Sequence, residues 1–221
     1  MNIAFVLPTI TTLEAYLRAD TMKDSISRRD CLKAAVTGAA TLGTLSLTGK
    51  ISAQSSRGIR GQQAPELSVS HWIDGDGKKI KPFSVAAHRG KWVYLKCFQQ
   101  WCPACHSVGF PNLQKLVEAF PKNDKVVAAV IQTTFEGHSF NTVDALRKNQ
   151  LRYELSLPFG HDPGNLELPT SNPDRYPSTM RSYRTGGTPW VTLINPEGIV
   201  VFDDFHIHIE NLIEHLKKET A

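Results

Sequence analysis

The chain has 221 residues, 41% of them hydrophobic and 21% charged, enough apolar material for one globular domain with a substantial core. Its formal charge of +4 divides evenly, with six basic and four acidic side chains in residues 1–53 and nineteen and seventeen in residues 54–221. No Lys/Arg cluster marks the second part, which argues against a nucleic-acid partner, and four cysteines are too few and too unevenly placed for a disulfide-stapled mini-protein.

Residues 1–53 do not read as fold. Ser27-Arg28-Arg29-Asp30-Cys31-Leu32-Lys33 precedes an uncharged run of small and apolar residues from Ala34 to Gly49, and Ile51-Ser52-Ala53 suits signal-peptidase cleavage after Ala53. This resembles a twin-arginine export signal, with Cys31 where that pattern has Phe. The competing reading is an amphipathic helix with two chance arginines. The apolar run is too weak for a membrane span. Met22-Lys23-Asp24 is a natural start, so residues 1–21 read as a mis-called beginning. Cys31 follows Arg-Asp rather than Leu-Ala-Gly, and is expected neither as a lipid attachment site nor in any fixed role.

Residues 54–63 are polar with Ser and Gly and read as a flexible linker into a domain at 64–221. Alternation at Leu67, Val69, His71 and Ile73 predicts a strand, Asp74-Gly75-Asp76-Gly77 a hairpin turn, and Lys79 to Phe83 the returning strand. Trp92 to Phe98 is β-branched and aromatic enough for a buried strand. Helical spacing of Val108, Leu113, Leu116, Val117 and Phe120 predicts a helix over 103–120. Val126 to Thr133 reads as a central strand. Phe140 to Leu151 reads as a helix with Val143, Leu146 and Leu151 inward, and Tyr153 to Phe159 as a short strand. Four prolines between His161 and Ser178 predict a loop insertion, and a short helix is expected over Thr179 to Arg184, ended by Gly186-Gly187. Pro189 to Asn195 and Ile199 to Asp203 form a hairpin, and an amphipathic helix from Ile207 to Lys218 closes the chain. Strands alternating with helices, then an antiparallel pair, predict an α/β fold with a mixed sheet covered on both faces.

Trp101-Cys102-Pro103-Ala104-Cys105-His106 lies where the 92–98 strand meets the 103–120 helix. Two thiols three positions apart can close a small disulfide ring. A helix N-terminus, with its partial positive charge and free N–H groups, stabilises a thiolate on Cys102. Pro103 suits the first helical turn. Cys-x-x-Cys could also be half of a metal site, but Cys97 lies mid-strand and Cys31 in the presumed signal, so no second pair exists. Cys97 reads as a buried inert thiol.

Residues 64–219 resemble thioredoxin-fold redoxins of the exported TlpA/ResA/DsbE type. The resemblance rests on Ala64-Pro65-Glu66-Leu67, Gly90-Lys91, the Cys102–Cys105 motif, Gly187-Thr188-Pro189, and Leu193-Ile194-Asn195-Pro196-Glu197-Gly198 in the family's order. It implies a thioredoxin-like fold with an N-terminal β-hairpin extension, and a cis peptide before Pro189 facing the thiols, with the Thr188 backbone open to a partner's extended chain. It further implies a thiol–disulfide oxidoreductase working in the periplasm on protein thiols. Cys102 would attack and Cys105 would resolve the mixed disulfide, with Trp101, Pro103, Ala104, His106, Thr188 and Pro189 supporting them. No cofactor is implied. An electron donor or acceptor is needed, such as a membrane thiol carrier, and the leaning toward reduction comes from the family alone.

The chain departs from the family at two places. Lys96 stands where thioredoxins carry a buried acid, and Ser107-Val108-Gly109 where TlpA-type proteins carry a glutamate, so the proton relay is unassigned; Glu136 reads as a surface carboxylate. Three alternatives stay open. Cys102 to His106 completes a c-type haem attachment pattern, although neither the strand before the motif nor Thr188-Pro189 is explained by one. Cys102, Cys105 and His161 could carry copper. A peroxiredoxin would want Thr where Gln99 stands. His206 and His208 alternate as a metal pair could, but read as solvated. Trp101 and Trp190 read as an apolar rim for a partner, and the insertion around Pro163 to Pro177 as a segment that shapes substrate choice.

Overall fold

The computed structural model describes residues 10–19, 57–121 and 124–221. The twin-arginine stretch, the apolar run, Cys31, Met22 and the cleavage point after Ala53 lie outside the described residues. In chain order the elements are α1 (Ile10–Arg18), β1 (His71–Ile73), β2 (Lys79–Ile80), β3 (Trp92–Phe98), α2 (Phe110–Ala119), β4 (Val126–Thr133), α3 (Val143–Arg152), β5 (Phe159–Asp162), α4 (Ser178–Ser182), β6 (Trp190–Ile194), β7 (Val200–Asp204) and α5 (Ile209–Thr220). Seven strands form one sheet in the order β2-β1-β5-β4-β3-β6-β7. The β3–β4 and β4–β5 pairs are parallel, and β1–β2, β1–β5, β3–β6 and β6–β7 are antiparallel.

The apolar runs explain the centre of the sheet. All seven residues of β3 and the last six of β4 are buried, as strands covered on both faces must be. Along β3 the pleat sends Trp92, Tyr94 and Phe98 into one core with Leu113, Leu116, Leu212 and Leu216. Val93, Leu95 and Cys97 face a second core closed by Leu67, Val69, Phe83, Val85 and Tyr183. Lys96 therefore points to the face that carries α2. Asp74 organises the β1–β2 hairpin by accepting from the N–H groups of Asp76 (3.0 Å) and Lys78 (2.9 Å), and Gly77 takes the left-handed φ of 83° that the turn requires.

Several boundaries differ from the sequence reading. The β1–β2 strands are shorter than the alternation suggests, because Leu67 and Val69 pack as extended chain without ladder partners. Residues 153–158 are a turn rather than a strand: Glu154 takes φ 52° and pairing with β4 starts only at Phe159. In α3, Val143 and Leu151 are exposed; Leu146 is buried with Ala145, Asn149 and Gln150, whose polar groups bond to neighbouring loops.

Two segments left outside the domain by the sequence reading pack on it. From Arg57 the expected flexible stretch is anchored. Gly58 and Gly61 donate to the carbonyls of Arg184 and Val200, both at 2.8 Å. Ile59 is buried and its N–H meets the Asp203 carboxylate. Residues 10–19 likewise do not stand apart. Leu13 and Leu17 of α1 enter the first core, Arg18 pairs with Asp204 and Arg60 with Glu14, and Tyr16 donates to Glu214 at 2.8 Å. An amphipathic helix of nine residues is marginal alone, so its helicity depends on this docking.

Candidate active site

Cys102 sits between β3 and the helix, and Pro103 and Ala104 open the helical turn as expected. Residues Cys105–Gly109 then form a π-helical segment before α2 continues from Phe110. The expected 103–120 helix thus exists with a wider turn at its start. Val108, expected inward, is exposed, while Gly109 and Phe110 take the buried face.

Both cysteines are free thiols, Cys102 at 5% and Cys105 at 0% exposure, so the first is the one nearer solvent. The Cys105 N–H donates to the Cys102 sulfur at 3.3 Å. The Cys102 thiol donates to the Thr188 carbonyl at 3.4 Å, and the Thr188–Pro189 peptide is cis. The downstream loop therefore meets the thiols, as the Gly187-Thr188-Pro189 stretch led us to expect. Burial pushes the Cys105 thiol up to about 12, with Lys96 pulling the other way. Cys97 faces the opposite core, and burial likewise pushes it up to about 12, opposed by a hydrogen bond from Thr133.

His106 is fastened at both nitrogens. Nδ1 lies 2.7 Å from the Tyr153 hydroxyl and Nε2 2.7 Å from the Gln100 carbonyl. A carbonyl can only accept, so Nε2 carries the proton and Nδ1 accepts from Tyr153. Burial holds the imidazole below its ordinary pKa, against the pull of the Gln100 carbonyl. Neither nitrogen faces an open position, which removes the axial ligand that the haem alternative needs. His161 is bonded through Nδ1 to Gln132 at 2.8 Å on β5. Among the described residues no group of three or more His, Cys, Asp or Glu is arranged to hold a metal, so the copper set of Cys102, Cys105 and His161 is not assembled.

Trp101 is 47% exposed beside Cys102, in the rim position expected of it. Gly137 backs it, and a Cβ there would come within 2.9 Å of the indole. Trp190 is not a rim residue. It is buried on β6 and packs edge-on against Phe205 at 5.1 Å between centroids. The pleat of β6 turns it into the second core, away from the thiols. Glu136 contributes its backbone, with the carbonyl accepting from Gln99 (3.3 Å) and Asn141 (3.1 Å). Its side chain is exposed.

Sequence reasoning missed the polar frame of the site. Gln99 is buried, with its side-chain oxygen 3.5 Å from the Thr188 hydroxyl. Asn141 accepts from the Gln100 N–H at 2.7 Å, and Asn149 bonds to the Gln100 side chain. These amides tie the Cys102 loop to the 134–141 loop and α3. Their only signal in the sequence was Gln99-Gln100 following a buried strand. Lys96 is wholly buried. The insertion at 163–177 borders a cavity of about 230 Å³ with His161, Asp162 and Arg181 in its wall. Burial, and then the charge of Arg175 of the insertion, lowers the pKa of His138, which adjoins the Gly137 turn beneath Trp101.

Known proteins share this fold. The AhpC/TSA family profile matches residues 60–202. Among solved structures, a thioredoxin-like superfamily protein is 29% identical with a TM-score of 0.59, over 72% of this chain and 95% of its own. A thiol-disulfide isomerase from Corynebacterium glutamicum is 27% identical with a TM-score of 0.57, over 71% and 96%. A thiol-disulfide oxidoreductase from Bacteroides fragilis, at 19% identity and a TM-score of 0.51 over 72% and 99%, shares the fold. No curated protein matches.

Proposed function

The chain belongs to the AhpC/TSA family of redoxins and is a thiol–disulfide oxidoreductase, and from that premise we propose that it exchanges a Cys102–Cys105 disulfide with protein thiols, in the reducing direction. The observation that carries this reading is the Cys102 sulfur. It is the more exposed of the pair, lies at the start of a helical turn, and meets the Thr188 carbonyl of a distant loop. In the forward step the Cys102 thiolate attacks a substrate disulfide, forming a mixed disulfide and releasing one substrate thiolate. Cys105 then attacks Cys102, closing the intramolecular disulfide and releasing the second substrate sulfur as a thiol. The exposed Trp101 gives a partner chain an apolar surface beside the attacking sulfur. A thiol carrier in the membrane is the electron donor in this proposal.

Export belongs to the same proposal. It is supported by the arginine pair Arg28-Arg29, the uncharged run that follows, and Ala53 at a suitable cleavage position. The destination is the periplasm. Cleavage there severs α1 from the domain on which it packs, so the mass of the mature chain tests the assignment.

The test of function is reduction of insulin disulfides by the purified protein with a dithiol donor, alongside its reduction potential and its turnover of hydrogen peroxide. Insulin turnover lost in Cys102→Ser, with a potential near those of known reductants, supports the reading. Peroxide turnover that outpaces disulfide exchange would replace it with a peroxidase, and a potential near those of strong oxidants would reverse its direction.

A further inference from the structure

Lys96 occupies a core position that an amine has no packing reason to hold. It is 0% exposed on the central strand, facing the helix that carries the thiols. Its Nζ has no hydrogen-bond partner among the described residues. It lies 5.1 Å from the centroid of the Phe110 ring. A Cβ on Gly109 would collide with it, so the helix keeps its backbone bare at the point where the amine arrives. Gly109 has ordinary helical angles, φ −64° and ψ −47°. Its lack of a side chain therefore serves the close approach. Cys105 stands one turn before Gly109 on the same segment.

The groups that act on the amine's charge are thiols. Cys105 acts on it most strongly, then Cys97, then Cys102; His106 also feels its charge, and Tyr94 is the preceding residue on its face of β3. Burial lowers the lysine's pKa and raises that of Cys105. A neutral amine beside a neutral thiol is the arrangement that a buried pocket favours. Moving one proton from sulfur to nitrogen turns that pair into an ammonium and a thiolate that stabilise each other, and the Phe110 ring favours the cation.

We propose that Lys96 is the base for Cys105, accepting its proton when Cys105 resolves the mixed disulfide. This rests on the Cys102–Cys105 exchange reading above. The proton leaves the Cys105 sulfur and ends on Lys96 Nζ. The Cys105 thiolate forms a bond to the Cys102 sulfur while the bond from Cys102 to the substrate sulfur breaks. The electron pair leaves with the substrate sulfur, which takes a proton from water. The substrate disulfide is reduced and the protein dithiol is oxidised. Once the thiolate is consumed, the buried ammonium has lost its counter-charge and releases its proton.

The experiment follows the two releases of thionitrobenzoate when the reduced protein meets the aromatic disulfide DTNB in a stopped-flow instrument from pH 5 to 10. The first release reports attack by Cys102 and the second reports resolution by Cys105. In Lys96→Met, which fills the same volume without the amine, the first release persists. The second slows at least about 100-fold at pH 7 and rises about tenfold per pH unit, as a thiol without a base requires. An unchanged second release with the wild-type pH profile overturns the Lys96 proposal. Absence of the first release from the wild type, or its survival in Cys102→Ser, overturns the exchange reading instead. Should Lys96→Met not fold, nitrogen NMR of the wild-type lysines decides: Lys96 titrates at a higher pH in the dithiol than in the disulfide form, and equal midpoints overturn the proposal.

Discussion

Cys102 and Thr188, separated by 86 residues in sequence, are joined by a thiol-to-carbonyl hydrogen bond of 3.4 Å. This contact places the backbone of a distant loop directly beside the Cys102 sulfur. In the proposed exchange a substrate held there would have its disulfide next to Cys102, while Cys105 would enter only after the first bond exchange. Cys105→Ser is therefore expected to accumulate a covalent adduct with a protein disulfide, visible by non-reducing electrophoresis and mass spectrometry. Cys102→Ser should yield none.

Trp101 is the exposed aromatic at this mouth, and Gly137 supports it from behind. Trp101→Ala should lower kcat/KM for protein disulfides about tenfold, roughly 1.4 kcal/mol of recognition. A small aromatic disulfide, which contacts less of the rim, should lose less. Equal losses on both substrates would place Trp101 in the chemistry rather than in recognition.

Four half-buried histidines weaken the fold toward acid pH. His106, His138, His161 and His215 are all held below the ordinary histidine pKa, with burial as the leading cause. In the unfolded chain each protonates near its usual value of about 6.5, whereas in the folded chain each resists the charge. Stability is then complete above about pH 6.5 and falls as the pH drops below it. Melting temperature measured from pH 8 to pH 4 should show this slope. His215 packs edge-on against Trp92 at 5.3 Å, and its Nε2 has no hydrogen-bond partner among the described residues. His215→Phe keeps the ring contact and should flatten part of the slope.

Leu17 is fully buried under α5 and β7, with the His208 N–H donating to its carbonyl at 2.8 Å. Leu17→Ala in the full chain should cost about 2–5 kcal/mol, the range for a buried leucine truncated in a core. Chemical denaturation measures it. A loss near zero would show that α1 is undocked in solution.

Position Lys96 shows how sequence and structure divide the explanation. The β-branched and aromatic run from Trp92 to Phe98 already implied a buried strand, and Cys-x-x-Cys after it implied a helix start, because burial and helix capping are local consequences of residue type and spacing. The mixed α/β fold followed from the same periodicities, as did the central strands at 92–98 and 126–133. The placement of Thr188-Pro189 against Cys102 was legible only through resemblance, since no local pattern encodes a contact across 86 residues. Val108 was misplaced because a π-helical turn shifts which residues share a face, and apolar spacing alone cannot register the extra residue. The helix Ile10–Arg18 was passed over because nine residues carry too little hydrophobic signal until a partner surface exists for them.

Residue type and spacing by themselves determined that this chain folds as layered α/β and carries two thiols at a helix start. Tertiary structure alone decided which groups stand around those thiols: the Thr188 carbonyl, the Gln99–Asn141–Asn149 amides, the tethered His106 and the buried amine of Lys96. The physical reason is range. Periodicity and capping act over a few residues along the chain, whereas burial of an amine or a thiol beside its neighbours depends on how separate strands and helices pack.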